Sequence, residues 1–164
     1  MQDADIGRAL AAYERAVATT PGGDAAWQAL QVLARDVIGA RLFTIMTVDM
    51  ESGLAGRVYS SDPVSYPVSG TKPVRYDSWF DTVHRQRKPF IANTIAEIAE
   101  VFPDHELIRS LGCGSVVNLP IEIGGSMVGT INCLEAEHHY DEARLARLHH
   151  LLIPAKLSYM LYRS

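Results

Sequence analysis

Cysteine is rare in this sequence, with only two in 164 residues. Small secreted domains that rely on disulfides carry several cysteine pairs, so this class is excluded. Long apolar runs are also missing, and none approaches the roughly 18 residues that a membrane-spanning helix needs. The N-terminal segment MQDADIGRALAAYERAV lacks the uninterrupted apolar stretch of a signal peptide. We therefore expect a cytoplasmic protein with no membrane partner.

Positive charge is scarce too. The 15 lysines and arginines are outnumbered by 19 aspartates and glutamates, which gives a net charge of −4. The densest basic run, HRQRK from His84 to Lys88, is short, whereas a nucleic-acid-binding surface needs a broader basic patch. We therefore expect no nucleic-acid partner. The length predicts one domain, residues 1–164, that can bury a core without a metal or a disulfide.

The histidines do not predict a metal site. His138 and His139 fall in a loop, and the adjacent His149 and His150 would point to different sides of a helix. No histidine–carboxylate spacing of the metalloenzyme type is present in the sequence. The sequence therefore predicts neither a metal nor a bound cofactor.

The hydrophobic pattern divides the chain into three parts. Residues 1–40 show helical spacing in two blocks separated by TTPGG. Residues 41–136 predict strands and include a proline-rich segment, residues 62–77, of the long irregular kind that is often functional. Residues 141–162 predict one long helix, which Pro154 should kink because proline lacks the amide hydrogen.

The segment LGCGSVVNLPIEIGGSMVGTINCLE, residues 111–135, predicts a β-hairpin. A three-residue loop of residues 124–126 would pair Ile123 with Met127. This register collects apolar residues on one face of the hairpin. They are Val117, Leu119, Ile121, Ile123, Met127, Gly129, Ile131 and Cys133. The opposite face then carries polar residues, with Asn118 directly opposite Asn132.

The same register separates the two cysteines. Cys133 falls opposite Val117, while Cys113 lies four residues further along, about 13 Å at the usual strand rise. A disulfide requires Cα atoms within about 7 Å, so the register predicts no bond between them. We expect Cys133 to be a small core residue. Cys113, between two glycines at a loop-to-strand junction, has a better chance of being exposed.

The hairpin resembles the signature segment of the GAF domain family. A small residue and a serine precede an apolar strand with Pro120, and an apolar-glycine-apolar step at Gly129 follows the glycine turn. The resemblance extends over essentially the whole chain. It implies an α+β, profilin-like and PAS-related fold with a central antiparallel sheet of five to six strands. In that fold terminal helices cover one face, often as a dimer interface, and loops with short helices enclose a small-molecule pocket on the other.

The expected pocket needs an apolar enclosure with a few polar groups. Residues of the second strand, the irregular segment, the following short helix and the polar hairpin face meet this description. The predicted ligand-binding residues are Tyr59, Ser61, Tyr66, Lys72, Trp79, Phe80, Asn118, Thr130 and Asn132. Asn118 and Asn132 are the strongest of them, because a buried polar pair must find hydrogen-bond partners.

The functional prediction is a sensory or regulatory domain that binds an unidentified small molecule and signals through a homodimer or a separate partner. Two alternatives remain open, a thiol-dependent reductase of free methionine-(R)-sulfoxide and a structural dimerisation module without ligand. The reductase would use Cys113, although a catalytic thiol needs a lowered pKa and a resolving partner. Cyclic-nucleotide binding is disfavoured because Asn93 is followed by Thr94 and the FPDHE segment has the wrong spacing. Bilin attachment is disfavoured because neither cysteine has a histidine neighbour.

Overall fold

The computed structural model describes residues 1–163 and has the predicted α+β architecture. A six-stranded antiparallel sheet forms its centre, with the strand order β3-β2-β1-β6-β5-β4. The strands are β1 (Leu42–Asp49), β2 (Leu54–Ser60), β3 (Lys72–Pro73), β4 (Phe90–Ala92), β5 (Ser115–Ile123) and β6 (Ser126–Glu135). The predicted central antiparallel sheet is therefore confirmed.

Helices from both ends of the chain cover one face of the sheet. They are α1 (Asp3–Thr19), α2 (Asp24–Val37), α6 (Glu142–Leu145), a 3-10 turn (Leu148–Leu151) and α7 (Leu152–Arg163). The main hydrophobic core lies between them and the sheet, where Trp27 of α2 is fully buried. Its indole meets the Tyr159 ring of α7 edge-on, with 4.8 Å between the ring centroids. Among residues 1–163, no helix is both long and apolar enough to cross a membrane.

The C-terminal helix differs from the prediction, because it is divided rather than continuous over residues 141–162. The break precedes Pro154, and the 3-10 turn between α6 and α7 buries Leu148 and Leu151 in the core. Pro154 itself lies in the first turn of α7, where a missing amide hydrogen costs no helical hydrogen bond. The proline therefore lies at the start of a helix instead of kinking one.

The hairpin turn contains two residues, so the predicted three-residue loop is wrong. Gly124 and Gly125 both have positive φ angles, 61° and 83°, as a tight turn of this kind requires. Ile123 consequently pairs with Ser126. The extra residue sits further along, as a β-bulge at Val128, and it restores the predicted offset. Asn118 therefore pairs with Asn132, and Cys133 with Val117, as predicted.

This bulge also changes which hairpin residues face the helices. Val128 packs in the core beneath the helices, whereas Met127 lines the opposite face of the sheet. The predicted register had placed Met127 on the same apolar face as Ile123 and Ile131, which both pack in this core. One inserted residue shifts the alternation of side chains by one position, and this shift accounts for the exchange.

A glycine next to the bulge allows a helix to contact the sheet closely. The Tyr159 hydroxyl of α7 donates a 2.5 Å hydrogen bond to the Met46 carbonyl of β1 and a longer one, 3.3 Å, to the Thr130 carbonyl of β6. A Cβ atom at Gly129, which has a φ of 156°, would overlap the Met46 carbonyl oxygen and crowd the tyrosine hydroxyl. Glycine at this position is therefore a condition of the α7 contact.

The connection between β2 and β5 covers the other face of the sheet. It contains β3, β4 and three short helices, α3 (Ser78–Phe80), α4 (Ile95–Ala99) and α5 (His105–Ser110). A single π-helical stretch, Asp81–Arg85, continues α3. A second cluster of buried residues, including Ile98 and Ile108, joins these elements to the sheet. The space left between them and the sheet is the site described next.

Candidate functional site

A cavity of about 310 Å³ lies between the open sheet face and the β2–β5 connection. Its floor is formed by β1, β2, β5 and β6, and its roof by β3, α3, α5 and the residues that follow α4. Most of the lining side chains are apolar, and they include Val74 and Phe102 from the β2–β5 connection and Leu134 from β6. This volume is at the lower end of the range for small-molecule sites, about 300–1,000 Å³. The cavity therefore suits a small, mainly apolar ligand.

A chain of side-chain hydrogen bonds crosses the cavity wall. Trp79 Nε1 donates to Asn118 Oδ1 over 2.9 Å, and Asn118 Nδ2 donates to Asn132 Oδ1 over 2.7 Å. Asn132 Nδ2 then donates to Thr44 Oγ1 over 3.1 Å. The chain links α3 to strands β5, β6 and β1, and it holds both amides in fixed orientations. The roof and the floor of the cavity are thus joined by polar contacts.

Thr130 contributes a polar atom of a different kind. Its side chain is fully buried and lines the cavity, and its Oγ1 has no hydrogen-bond partner within residues 1–163. A buried hydroxyl without a partner costs about 1–3 kcal/mol. The Thr130 hydroxyl is therefore an unsatisfied polar group within the cavity wall, with almost no surface of its own open to the cavity.

A second polar cluster closes the roof near α5. The Tyr66 hydroxyl donates to Asp104 Oδ2 over 2.6 Å, and the Arg57 guanidinium carbon lies 3.9 Å from the centre of the Tyr66 ring. Arg57 also donates to the Pro67 carbonyl over 2.8 Å. Burial raises the pKa of Tyr66, and its hydrogen bond to Asp104 raises it further. Tyr66 is therefore a neutral donor that ties the proline-rich segment to the rest of the roof.

Phe80 and His84 form an aromatic pair beside α3. Their rings stack with 4.5 Å between centroids and an angle of 17° between planes. Burial lowers the pKa of His84, and the positive charges of Arg87 and Arg85 lower it further. The imidazole is therefore neutral near pH 7, and in this form it gives the cavity a flat, weakly polar surface.

Seven predicted ligand-binding residues line the cavity: Tyr66, Lys72, Trp79, Phe80, Asn118, Thr130 and Asn132. Tyr59 and Ser61 do not. Tyr59 donates to Gln31 of α2 on the helix-covered face, and the Ser61 hydroxyl accepts from the Phe43 amide. A β-bulge in β2 is responsible, because β1 residues Ile45 and Met46 pair with Tyr59 and Arg57, which leaves Val58 unpaired. The alternation of side chains is shifted there by one residue.

Sequence reasoning missed several cavity residues that contribute polar groups, namely Thr44, Arg57, His84 and Asp104. Thr44 carried a usable signal, because it interrupts the apolar run LFTIM as Asn118 and Asn132 interrupt theirs. The place of Arg57 depends on the bulge in β2. The positions of His84 and Asp104 follow from how the β2–β5 connection folds over the sheet, and local periodicity does not describe that.

A family model described as GAF domain matches residues 23–152. This span begins before α2 and includes the whole sheet and every residue that lines the cavity. The chain belongs to the GAF domain family. The match agrees with the resemblance that the hairpin carries, and no curated protein matches the sequence.

Solved structures resemble this GAF domain at low sequence identity. The GAF domain of a two-component sensor histidine kinase from Bacillus halodurans has a TM-score of 0.69 at 14% identity and covers 88% of this chain and 100% of its own. Free methionine-R-sulfoxide reductase from Neisseria meningitidis, in complex with its substrate, has a TM-score of 0.68 at 16% identity. The match covers 99% of this chain and 94% of the reductase chain. A protein in its far-red absorbing dark state with bound biliverdin IXa has a TM-score of 0.62 at 15% identity. The match covers 97% of this chain and 98% of that protein's chain. These likenesses show the fold alone.

Neither cysteine of this GAF domain lines the cavity. Both are free and buried, with exposed fractions of 3% for Cys113 and 1% for Cys133, so the expectation of an exposed Cys113 is wrong. Burial raises the pKa of the Cys113 thiol to about 11 and that of Cys133 to about 12. Both thiols are therefore protonated at neutral pH. Within residues 1–163, no group of three or more His, Cys, Asp or Glu side chains is arranged to hold a metal ion.

Proposed function

We propose that this GAF domain is a small-molecule sensor that binds its ligand in the cavity beside Asn118 and Asn132. The main support is the cavity itself, whose mostly apolar lining includes the hydrogen-bonded amides of Asn118 and Asn132. Such an arrangement is typical of a ligand site, where a few polar groups fix the orientation of an apolar molecule. A purely structural module would gain stability from filling this space with side chains.

We further propose that the signal passes through a second copy of the chain. On α7, Ile153, Leu157 and Met160 are 78%, 40% and 58% exposed and follow each other at helical spacing. Exposed apolar side chains that share one helix face favour association. Light scattering should therefore find a dimer that Leu157→Asp dissociates, and a monomer at high concentration would contradict the dimer proposal.

A cytoplasmic setting belongs to the same proposal, supported by the two free cysteines.

Native mass spectrometry of freshly purified protein tests the sensor proposal. We expect a co-purifying small molecule that is lost when Ala55→Phe fills the cavity from β2. Ala11→Phe on the exposed face of α1 is the matched control, and it should keep the bound mass. Equal retention by both variants would place the molecule elsewhere. Wild-type protein without a bound mass, and without stabilisation by any member of a metabolite library, would favour the structural module.

The reductase alternative has weaker support. The likeness to the Neisseria meningitidis enzyme is one of fold, and the Cys113 thiol lies outside the cavity with a pKa of about 11. A nucleophilic thiol instead needs a lowered pKa and access to its substrate. Turnover of free methionine-(R)-sulfoxide that disappears in Cys113→Ser would nevertheless establish the enzyme over the sensor.

A further inference from the structure

The cavity lining has an excess of positive charge, although the whole chain has an excess of negative charge. Arg57, Lys72 and Arg75 line the cavity, against Asp77 and Asp104. The lining therefore carries one more positive than negative charge, counting histidine as neutral, while the chain carries a net charge of −4. A local field opposite in sign to the rest of the protein favours entry of an anion at this place.

The two carboxylates already have partners inside the protein. Asp104 accepts the hydrogen bond from the Tyr66 hydroxyl. Asp77 accepts one from the Phe80 amide, over 3.0 Å, as the cap of α3. Both acids thus serve the fold of the roof.

The three cations differ in how far they are engaged. Arg57 is held by the Tyr66 ring and the Pro67 carbonyl. Arg75 has only a 4.0 Å contact with Asp77, at a side-chain exposure of 69%. The Lys72 ammonium has no hydrogen bond or ion pair within residues 1–163. Lys72 and Arg75 are therefore the charges that a ligand can use at the edge of the cavity.

Strand order places these charges at some distance from the Thr130 hydroxyl. Lys72 pairs with Ala55 on β2, and Met46 on β1 pairs with Thr130 on β6. Three strand spacings, about 14 Å, separate Lys72 from Thr130 across the sheet. Val48, which pairs with Ala55, lies two residues from Met46 along β1, about 7 Å, so the backbones are about 16 Å apart. The flexible four-carbon stem of Lys72 shortens this gap. The remaining length suits a small molecule with polar groups at opposite ends.

We propose that the ligand is a small organic monocarboxylate with an apolar, planar body and a hydrogen-bonding group opposite the carboxylate. Lys72 and Arg75 bind the carboxylate at the cavity edge, and the side chains around Trp79 and Phe80 contact the body. The polar part of the opposite wall, formed by Asn118, Thr130 and Asn132, faces the far polar group. A single excess positive charge matches a carboxylate better than a doubly charged phosphate. This inference rests on the proposed sensor function, because it names the ligand class of the same cavity.

Matched pairs of small acids and their primary amides test the ligand class by isothermal titration calorimetry. One such pair is 4-hydroxybenzoate and 4-hydroxybenzamide, which share shape and differ in charge. We expect each binding acid to exceed its amide by roughly tenfold in affinity at low salt, and the preference to shrink as salt screens the exposed charges. The double variant Lys72→Gln/Arg75→Gln should abolish the preference. Lys88→Gln, a lysine outside the cavity, should retain it.

The outcomes separate the ligand class from the sensor proposal. Amides that bind as well as acids, and that Ala55→Phe excludes, would overturn the carboxylate inference and leave the sensor intact. If the double variant still prefers acids, the carboxylate inference is overturned as well. The same holds if no acid binds while native mass spectrometry finds a neutral molecule. Failure of all acids and amides, with no co-purifying mass, would overturn both.

Discussion

Two isosteric substitutions in the cavity wall should change stability in opposite directions. Thr130→Val removes the buried hydroxyl that has no partner, whereas Thr44→Val removes the acceptor of the Asn132 amide. Both residues are buried, with exposed fractions of 0% and 3%, and both lie in the floor of the cavity. The two substitutions therefore replace the same side chain by the same isostere at similarly buried positions. They differ in one respect: the Thr44 hydroxyl accepts a hydrogen bond and the Thr130 hydroxyl has none.

The expected magnitudes follow from the cost of an unsatisfied buried polar group. Desolvating an unpaired hydroxyl costs about 1–3 kcal/mol, so Thr130→Val should raise the free energy of unfolding by about 1 kcal/mol. Thr44→Val leaves a buried Asn132 donor unpaired and should lower the same quantity by about 1–3 kcal/mol. For a chain of this length, each kcal/mol moves the melting temperature by about 2–4 °C.

Urea denaturation of ligand-free protein, refolded after dialysis, measures both effects without a bound molecule. The midpoint should rise for Thr130→Val and fall for Thr44→Val at an unchanged slope. If Thr130→Val destabilises the protein as much as Thr44→Val does, the Thr130 hydroxyl has a partner in the ligand-free protein. The assignment of Thr130 as an unsatisfied polar group in the cavity wall would then be refuted.

Two further predictions concern titrating side chains. Iodoacetamide should label Cys113 slowly in folded protein and rapidly in urea, because a pKa of about 11 leaves about one thiol in 10⁴ as thiolate at pH 7. Rapid labelling of the folded protein that is absent from the Cys113→Ser variant would contradict the buried position of this thiol. Stability should fall as the pH drops below about 6.5, since the lowered pKa of His84 means that the unfolded chain binds the proton more readily. His84→Gln should flatten that part of the pH profile, and an unchanged profile would show that His84 does not contribute.

The helices, the strands and one pair of pocket residues could be predicted because their signals are local. Apolar periodicity identifies α1 and α2, and alternation identifies most of β1, β5 and β6. The pairing of Asn118 with Asn132 across the hairpin could be predicted because both positions interrupt apolar strands. The offset between the two strands was correct although the loop was not, since the bulge at Val128 supplied the residue that had been assigned to the turn.

The errors have a common physical origin in features set by distant contacts. A bulge depends on how two strands pair along their whole length, so nothing near Val58 in the sequence indicates that Tyr59 turns toward the helices. Cys113 is buried because α5 and the end of the hairpin fold over it, although its glycine neighbours suggested an open loop. The break before α7 likewise reflects the packing of Leu148 and Leu151 on the sheet.

The contact of Tyr159 with the sheet joins the wall of the cavity to the terminal helix. One carbonyl, that of Met46, belongs to a residue that lines the cavity and also accepts the hydrogen bond from α7. A ligand that shifts β1 at this point therefore changes the free energy with which α7 docks. By reciprocity, a partner that fixes α7 changes the affinity for the ligand by the same factor. Gly129 leaves the gap through which this coupling acts, so a larger side chain there would separate the two events.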